Sequence, residues 1–263
     1  MKKIVVINII SLVILFLFTA LFQLQIQKNT LESLSELKAP DTKVIKAETK
    51  SETKDQSTED RRVVLLIGSS VTQGAGASAP QKSWAGLLNA HLSEQHPDLI
   101  FLNLGVGGYT TQDIVNSSLK ITSNLIAENL TPDIIIFENC LINDFQQLTL
   151  IQSMKNIKTV VSKLGVQFPE AKIYVIPPND VTVYTNRLSA EGLSYQDYVK
   201  EVGEYINTQD WNYVNFWKIF EKEVAKRKVT LEDTLVEDGK HPNDTGYDIW
   251  FEALKKQIDF SDL

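Results

Sequence analysis

The chain has 263 residues, 43% hydrophobic and 22% charged, which suits a globular protein of one or two domains with a sizeable core. Its formal net charge of -7 argues against a nucleic-acid binder held by a basic face, and the one basic cluster (Lys222, Lys226, Arg227, Lys228) is interleaved with acids. The single cysteine, Cys140, excludes an intramolecular disulfide and any Cys₂ or Cys₄ zinc site, and imidazole chemistry is limited to His91, His96 and His241.

At the N-terminus, Lys2 and Lys3 precede an uncharged apolar run from Ile4 to Phe22, broken only by Asn8, Ser11 and Thr19. Such a run spans about 28 Å as a helix, close to the hydrocarbon thickness of a bilayer. A cleaved signal peptide is the rival, but its apolar region is usually shorter and ends at a small-x-small site, which Leu21-Phe22-Gln23 does not supply. Residues 1–27 therefore read as a cytoplasmic stub and transmembrane signal anchor. Lys2 and Lys3 orient the rest of the chain outside the cell membrane.

Residues 28–60 contain no aromatic side chain, and after Leu37 only Val44 and Ile45 are large aliphatics. A stretch such as KAETKSETKDQSTED cannot bury enough apolar surface to offset its ordering entropy. It reads as a flexible tether, with an ordered charged helix as the alternative.

Residues 61–263 carry the folded domain. Val63–Ile67 is a continuous apolar run ending at Gly68, as in a strand buried on both faces. Ser83–Leu92 has Trp84, Leu87, Leu88 and Leu92 at helical spacing. Leu99–Leu104 predicts a second strand, Thr111–Leu130 a helix, and Asp133–Phe137 a third strand. Asp144–Leu164 predicts a helix, Ile173–Ile176 a fourth strand and Tyr195–Asn207 a helix. Tyr213–Phe216 is a candidate fifth strand, and a last helix follows Pro242 through Leu254. Strands alternating with such helices imply βαβ units and a parallel sheet with helices on both faces.

In that architecture ligands bind beyond the carboxyl ends of the strands. GSSVTQGAGAS follows the first strand; it lacks the lysine of a P-loop and its glycines miss the G-x-G-x-x-G spacing. It can be a structural turn or can present a serine, although Thr72 replaces the last glycine of a G-x-S-x-G elbow. Near the C-terminus, Asp238 stands three residues before His241, within a Gly- and Pro-containing turn. A carboxylate there can fix an imidazole tautomer and leave Nε2 as a base. Alternatively Asp238, Asn243 or Asp244 caps the final helix and His241 is an exposed loop residue. His91 and His96 lie on or beside a helix with no nucleophile near them. Cys140, ending a buried strand, reads as an inert apolar thiol, and no metal constellation is present.

Four of these strand-end elements together resemble the SGNH (GDSL-type) hydrolases, from Arg61 to about Lys256. GSSVTQGAGA is similar to the first block, NLGVGGYTTQD (Asn103–Asp113) to the second, LIND (Leu141–Asp144) to the third and DGKHPN to the fifth. The resemblance implies a flavodoxin-like three-layer α/β/α fold with a five-stranded parallel sheet. It implies Ser70 as nucleophile, His241 as base and Asp238 as its orienting acid, with the Ser70 and Gly108 backbone N–H groups and the Asn143 amide forming an oxyanion hole. It implies neither metal nor cofactor. Two positions depart from the pattern: Ser69 replaces the usual Asp and Leu141 the usual Gly. The expected activity is a serine esterase, tethered to the membrane outside the cell, acting on O-acyl esters of an envelope glycan. Trp84 and Tyr109 are candidate sugar platforms, Trp84 being also a core candidate. A lysophospholipase or thioesterase-like lipid acylhydrolase is the alternative enzyme. A catalytically silent glycan-binding or assembly protein is the alternative of another class.

Overall fold

The computed structural model describes residues 62–261 and 263, so the anchor and tether expected over 1–60 lie outside the described residues. Among the described residues no helix is long and apolar enough to cross a membrane.

In chain order the elements are β1 (Val63–Gly68), α1 (Ser70–Gln73), α2 (Trp84–Gln95), β2 (Ile100–Gly105), α3 (Thr111–Ala127), β3 (Ile134–Glu138) and α4 (Leu141–Asp144). Then follow α5 (Leu150–Gln167), β4 (Lys172–Ile176), α6 (Tyr195–Asn207), β5 (Asn212–Tyr213), α7 (Trp217–Arg227) and α8 (Asp244–Leu254). All strand pairs are parallel, and the order across the sheet is β2-β1-β3-β4-β5. This is the flavodoxin-like order, which reverses direction between β1 and β3. In open sheets of this kind the carboxyl ends of the strands at such a reversal are where ligands bind.

Every residue of β1 and β3 is buried. That explains their unbroken apolar sequences: helices cover both faces, so neither strand needs alternation. On one face α3 packs on α5 and α5 on α6; on the other α2 and α7 pack on α8. The second layer is held by aromatics: Trp84 of α2 stacks on Trp250 of α8 at 5.6 Å, and Phe216 on Trp250 at 4.8 Å. Trp84 has no exposed surface, so it is core and cannot serve as a sugar platform.

Two expectations are corrected. The helix expected over Asp144–Leu164 is two helices, because Thr149 starts α5 with a reciprocal capping box to Gln152. The fifth strand is only Asn212–Tyr213; beyond it Asn215 Oδ1 accepts from Trp217 N–H at 3.1 Å and the chain turns into α7, a helix the periodicity reading left out.

Candidate active site

β1 delivers the first candidate residue. Gly68 ends the strand, Ser69 follows, and Ser70 is the first residue of the short helix α1. The turn is held from below by Glu138, the last residue of β3. Its Oε2 accepts from Ser69 N–H at 2.7 Å, Ser69 Oγ at 2.8 Å and Thr72 Oγ1 at 3.2 Å. Its Oε1 accepts from Cys140 N–H at 2.7 Å. Gly68 is required because a Cβ there would come within 2.7 Å of Glu138 Oε2. Burial raises the Glu138 carboxyl above its ordinary range, opposed by the donors from Ser69, Cys140 and Thr72. Asn103 of β2 ties the third side of this turn, donating from Nδ2 to Thr72 O at 2.7 Å.

β3 leads into a second sharp turn. Cys140 takes a left-handed φ of 57°, which is costly for a residue with a side chain. The Cys140 N–H bond to Glu138 compensates and directs the chain into α4. The Cys140 thiol is pushed well up by burial and then by the neighbouring carboxylates of Glu138, Asp144 and Asp113, so it is a poor nucleophile, as its sequence context implied. α4 carries Asn143, whose Nδ2 donates to Tyr109 O at 2.8 Å. Asp144 is a loop tie: it accepts from Thr111 N–H at 2.8 Å, Thr111 Oγ1 at 2.6 Å and Ser153 Oγ.

The third contribution comes from the turn before α8. Asn243 caps that helix, accepting from Gly246 N–H at 3.1 Å, while Asp244 holds Ser78. Asp238 is therefore not the cap. Its Oδ1 accepts from the backbone N–H groups of Lys240 at 2.8 Å and His241 at 2.9 Å. Its Oδ2 lies 2.6 Å from His241 Nδ1. Partial burial works against ionisation of Asp238, but the donors from His241 and Lys240 outweigh it and hold the carboxyl below its usual range. An ionised carboxylate only accepts, so Nδ1 carries the proton toward Asp238. That leaves Nε2, 2.9 Å from Ser70 Oγ, as the acceptor in the neutral ring.

Ser70, His241 and Asp238 thus form one continuous hydrogen-bonded chain drawn from positions 171 residues apart. Gly108 adopts φ +79° and a Cβ there would meet nothing within 4 Å, so it borders open space. Among the described residues, no backbone acceptor engages the N–H of Ser70 or of Gly108. An oxygen that became negative beside Ser70 could use such donors. His91 and His96 take no part: His91 lies edge-on to Phe251 at 5.8 Å on α2, and His96 caps the same helix.

Two residues at the site were not singled out by sequence reasoning. One is Glu138, although a carboxylate ending the run Ile134-Ile135-Ile136-Phe137 is itself a signal, since a buried charge needs several donors. The other is Lys240, whose side chain reaches Asn143 Oδ1 at 2.9 Å; nothing in its sequence neighbourhood marks it.

The sequence model of the GDSL-like lipase/acylhydrolase family matches residues 66–249. No functionally curated sequence matches the chain. Among solved structures, it is similar to the acetyl xylan esterase AlAXEase, with TM-score 0.57 and 16% identity over 75% of this chain and 100% of that one. It is similar to a two-domain esterase active on acetylated mannans, with TM-score 0.55 and 20% identity over 74% of this chain. It spans about half of that esterase, 48% of its length. A psychrotrophic esterase EstA from Pseudoalteromonas sp., solved inhibited by monoethylphosphonate, gives TM-score 0.55 and 16% identity over 75% of this chain and 96% of that one. At these identities the structural likenesses establish the fold.

Proposed function

The chain belongs to the GDSL-like lipase/acylhydrolase family, an SGNH-type hydrolase by family and fold, and from that premise we propose that it is a serine esterase using Ser70, His241 and Asp238. The observation that carries this reading is the chain of contacts from Ser70 Oγ to His241 Nε2 at 2.9 Å and from His241 Nδ1 to Asp238 at 2.6 Å. Ser70 Oγ attacks the ester carbonyl carbon while His241 Nε2 takes its proton. Asp238 holds the ring and stabilises the imidazolium. The oxyanion is met by the Ser70 and Gly108 backbone N–H groups and the Asn143 amide. The imidazolium then protonates the leaving alcohol, and water repeats the sequence on the acyl-enzyme.

The substrate we propose is an O-acetylated glycan of the cell envelope, reached by a domain tethered outside the membrane through residues 1–60. The similar esterase active on acetylated mannans and the acetyl xylan esterase support small acyl esters on sugars. Tyr109, next to Gly108 and partly exposed, is the ring that could stack on a sugar.

A fluorophosphonate probe tests the chemistry: it should attach to the Ser70 peptide of the native protein, and attachment elsewhere would contradict the reading. Acetate release tests the substrate. O-acetylated peptidoglycan or acetylated xylan should be cleaved faster than a lysophospholipid; the reverse order would favour a lipid acylhydrolase. Retention on membranes after a high-salt wash, with the N-terminal peptide intact, tests the anchor. A mature N-terminus between Ala20 and Lys28 would contradict it.

A further inference from the structure

Lys240 sits between Gly239 and His241, and the backbone around it is fully employed by the turn. Its N–H donates to Asp238 Oδ1 at 2.8 Å and its carbonyl accepts from Asn179 Nδ2 at 2.9 Å. Any residue but proline could supply those two bonds, so they do not explain a lysine. The side chain is only partly exposed, and its ammonium donates to Asn143 Oδ1 at 2.9 Å. Among the described residues no ion pair involves it. Burial lowers its pKa, against the pull of Asp238. A cation held in a desolvated place by a neutral amide is an expensive arrangement unless that amide needs it.

The Asn143 amide has two chemically different ends, and only the nitrogen end can donate to an oxyanion. One of its two N–H bonds is used on Tyr109 O at 2.8 Å, which leaves the other available. Rotating the amide by half a turn would set its NH₂ against the Lys240 ammonium and its oxygen against the Tyr109 carbonyl. Both contacts would be repulsive. Tyr109 O and Lys240 Nζ therefore act together as a latch with one allowed orientation.

We propose that Lys240 is a positioning residue for the oxyanion site, its ammonium holding the Asn143 amide so that the N–H edge faces the tetrahedral intermediate. This rests on the reading of Asn143 as an oxyanion donor. It also links two parts of the site, since the turn that carries His241 thereby sets the donor on α4.

A double-mutant cycle tests it. Lys240→Met keeps the apolar stem and removes the donor. On p-nitrophenyl acetate, kcat should fall about tenfold with KM within about twofold, part of the loss expected for the Asn143 donor itself. Combined with Asn143→Ala it should cost nothing more. A full multiplicative loss in the double variant, or a raised KM with unchanged kcat, would overturn the proposal. A second reading needs no turnover. The side-chain amide signal of Asn143 in a ¹⁵N–¹H spectrum, identified by its loss in Asn143→Ala, should move in Lys240→Met and stay in place in Lys222→Met. An unmoved signal in Lys240→Met would overturn the contact. Retained activity in Ser70→Ala would instead count against the proposed esterase mechanism, so the two failures are separable.

Discussion

Glu138 accepts both the backbone N–H and the hydroxyl of Ser69, at 2.7 and 2.8 Å, with no exposed surface on either residue. The carboxylate that ends β3 thereby sets the turn that presents Ser70. Glu138→Gln retains one acceptor oxygen where donors approach both. Turned toward Ser69 and Thr72, its NH₂ faces the Cys140 N–H. One buried donor left without an acceptor costs about 1–3 kcal/mol. Urea unfolding should show a loss of that size, and kcat should fall because the Ser70 and Cys140 turns both shift. A Glu138→Gln protein as stable and as active as the native one would show that the carboxylate is dispensable.

Gly108 is the opposite kind of glycine from Gly68. At Gly108 a methyl group meets nothing within 4 Å, so Gly108→Ala has only its φ of +79° to strain it. That costs roughly 1–2 kcal/mol, and the protein should still fold. The open space is where an acyl group would approach, so kcat/KM on p-nitrophenyl acetate should drop by more than the stability loss explains. Unchanged kcat/KM would remove Gly108 from the site. Gly68→Ala should fail on stability alone, because its methyl group would press on Glu138.

Burial raises the Asp144 carboxyl to about 6 against the hydrogen bonds from Ser153 and Thr111. The unfolded chain titrates near ~3.9, so the native state holds this proton more tightly. The stabilisation it brings is fully present below about pH 4 and is lost as pH rises through about 6. Between those limits the native protein should lose on the order of 2 kcal/mol relative to Asp144→Asn, whose amide does not titrate. Glu138, raised in the same direction, is common to both proteins. Parallel stability curves measured by denaturant titration from pH 4 to 7 would contradict this.

If Asn143 is an oxyanion donor as proposed, Asn143→Ala should lower kcat roughly 10²–10³-fold with little change in KM, because such an amide acts on charge that exists only in the transition state. Asp238→Asn should cost less than His241→Ala, since the imidazole stays near Ser70 even when poorly oriented. Steady-state kinetics on one activated ester separates these effects. A rise in KM alone for Asn143→Ala would assign it to binding.

Much of this was legible in the sequence. β1 and β3 announced themselves because a strand buried on both faces needs an uninterrupted run such as Val63–Ile67 or Ile134–Phe137. The strand-end serine loop and the D-x-x-H turn are local patterns, but by themselves they leave a structural turn and a helix cap open; Ser70, Asp238 and His241 come together only through the resemblance carried by four blocks in order. The break between α4 and α5 was not, because Phe145 and Leu148 continue the apolar periodicity across it; only the Thr149–Gln152 cap ends it. α7 was missed because its buried face is thin, with Phe220 its one buried residue. Glu138 and Lys240 act across 66 to 97 positions of sequence, on Ser69, Thr72 and Asn143, and no local pattern records such pairs.

The proposal that Ser70 is the nucleophile is tested most directly by comparing Ser70→Ala with Ser69→Ala in hydrolysis of p-nitrophenyl acetate. The two serines are adjacent, but Ser69 points into Glu138 while Ser70 Oγ lies 2.9 Å from His241 Nε2. Ser70→Ala should lose roughly 10⁴–10⁶ in kcat, and His241→Ala about as much. Ser69→Ala keeps its backbone N–H on Glu138 and should retain much of the native rate. Full activity in Ser70→Ala with loss in Ser69→Ala would contradict the register, and full activity in both would contradict the serine-esterase mechanism itself.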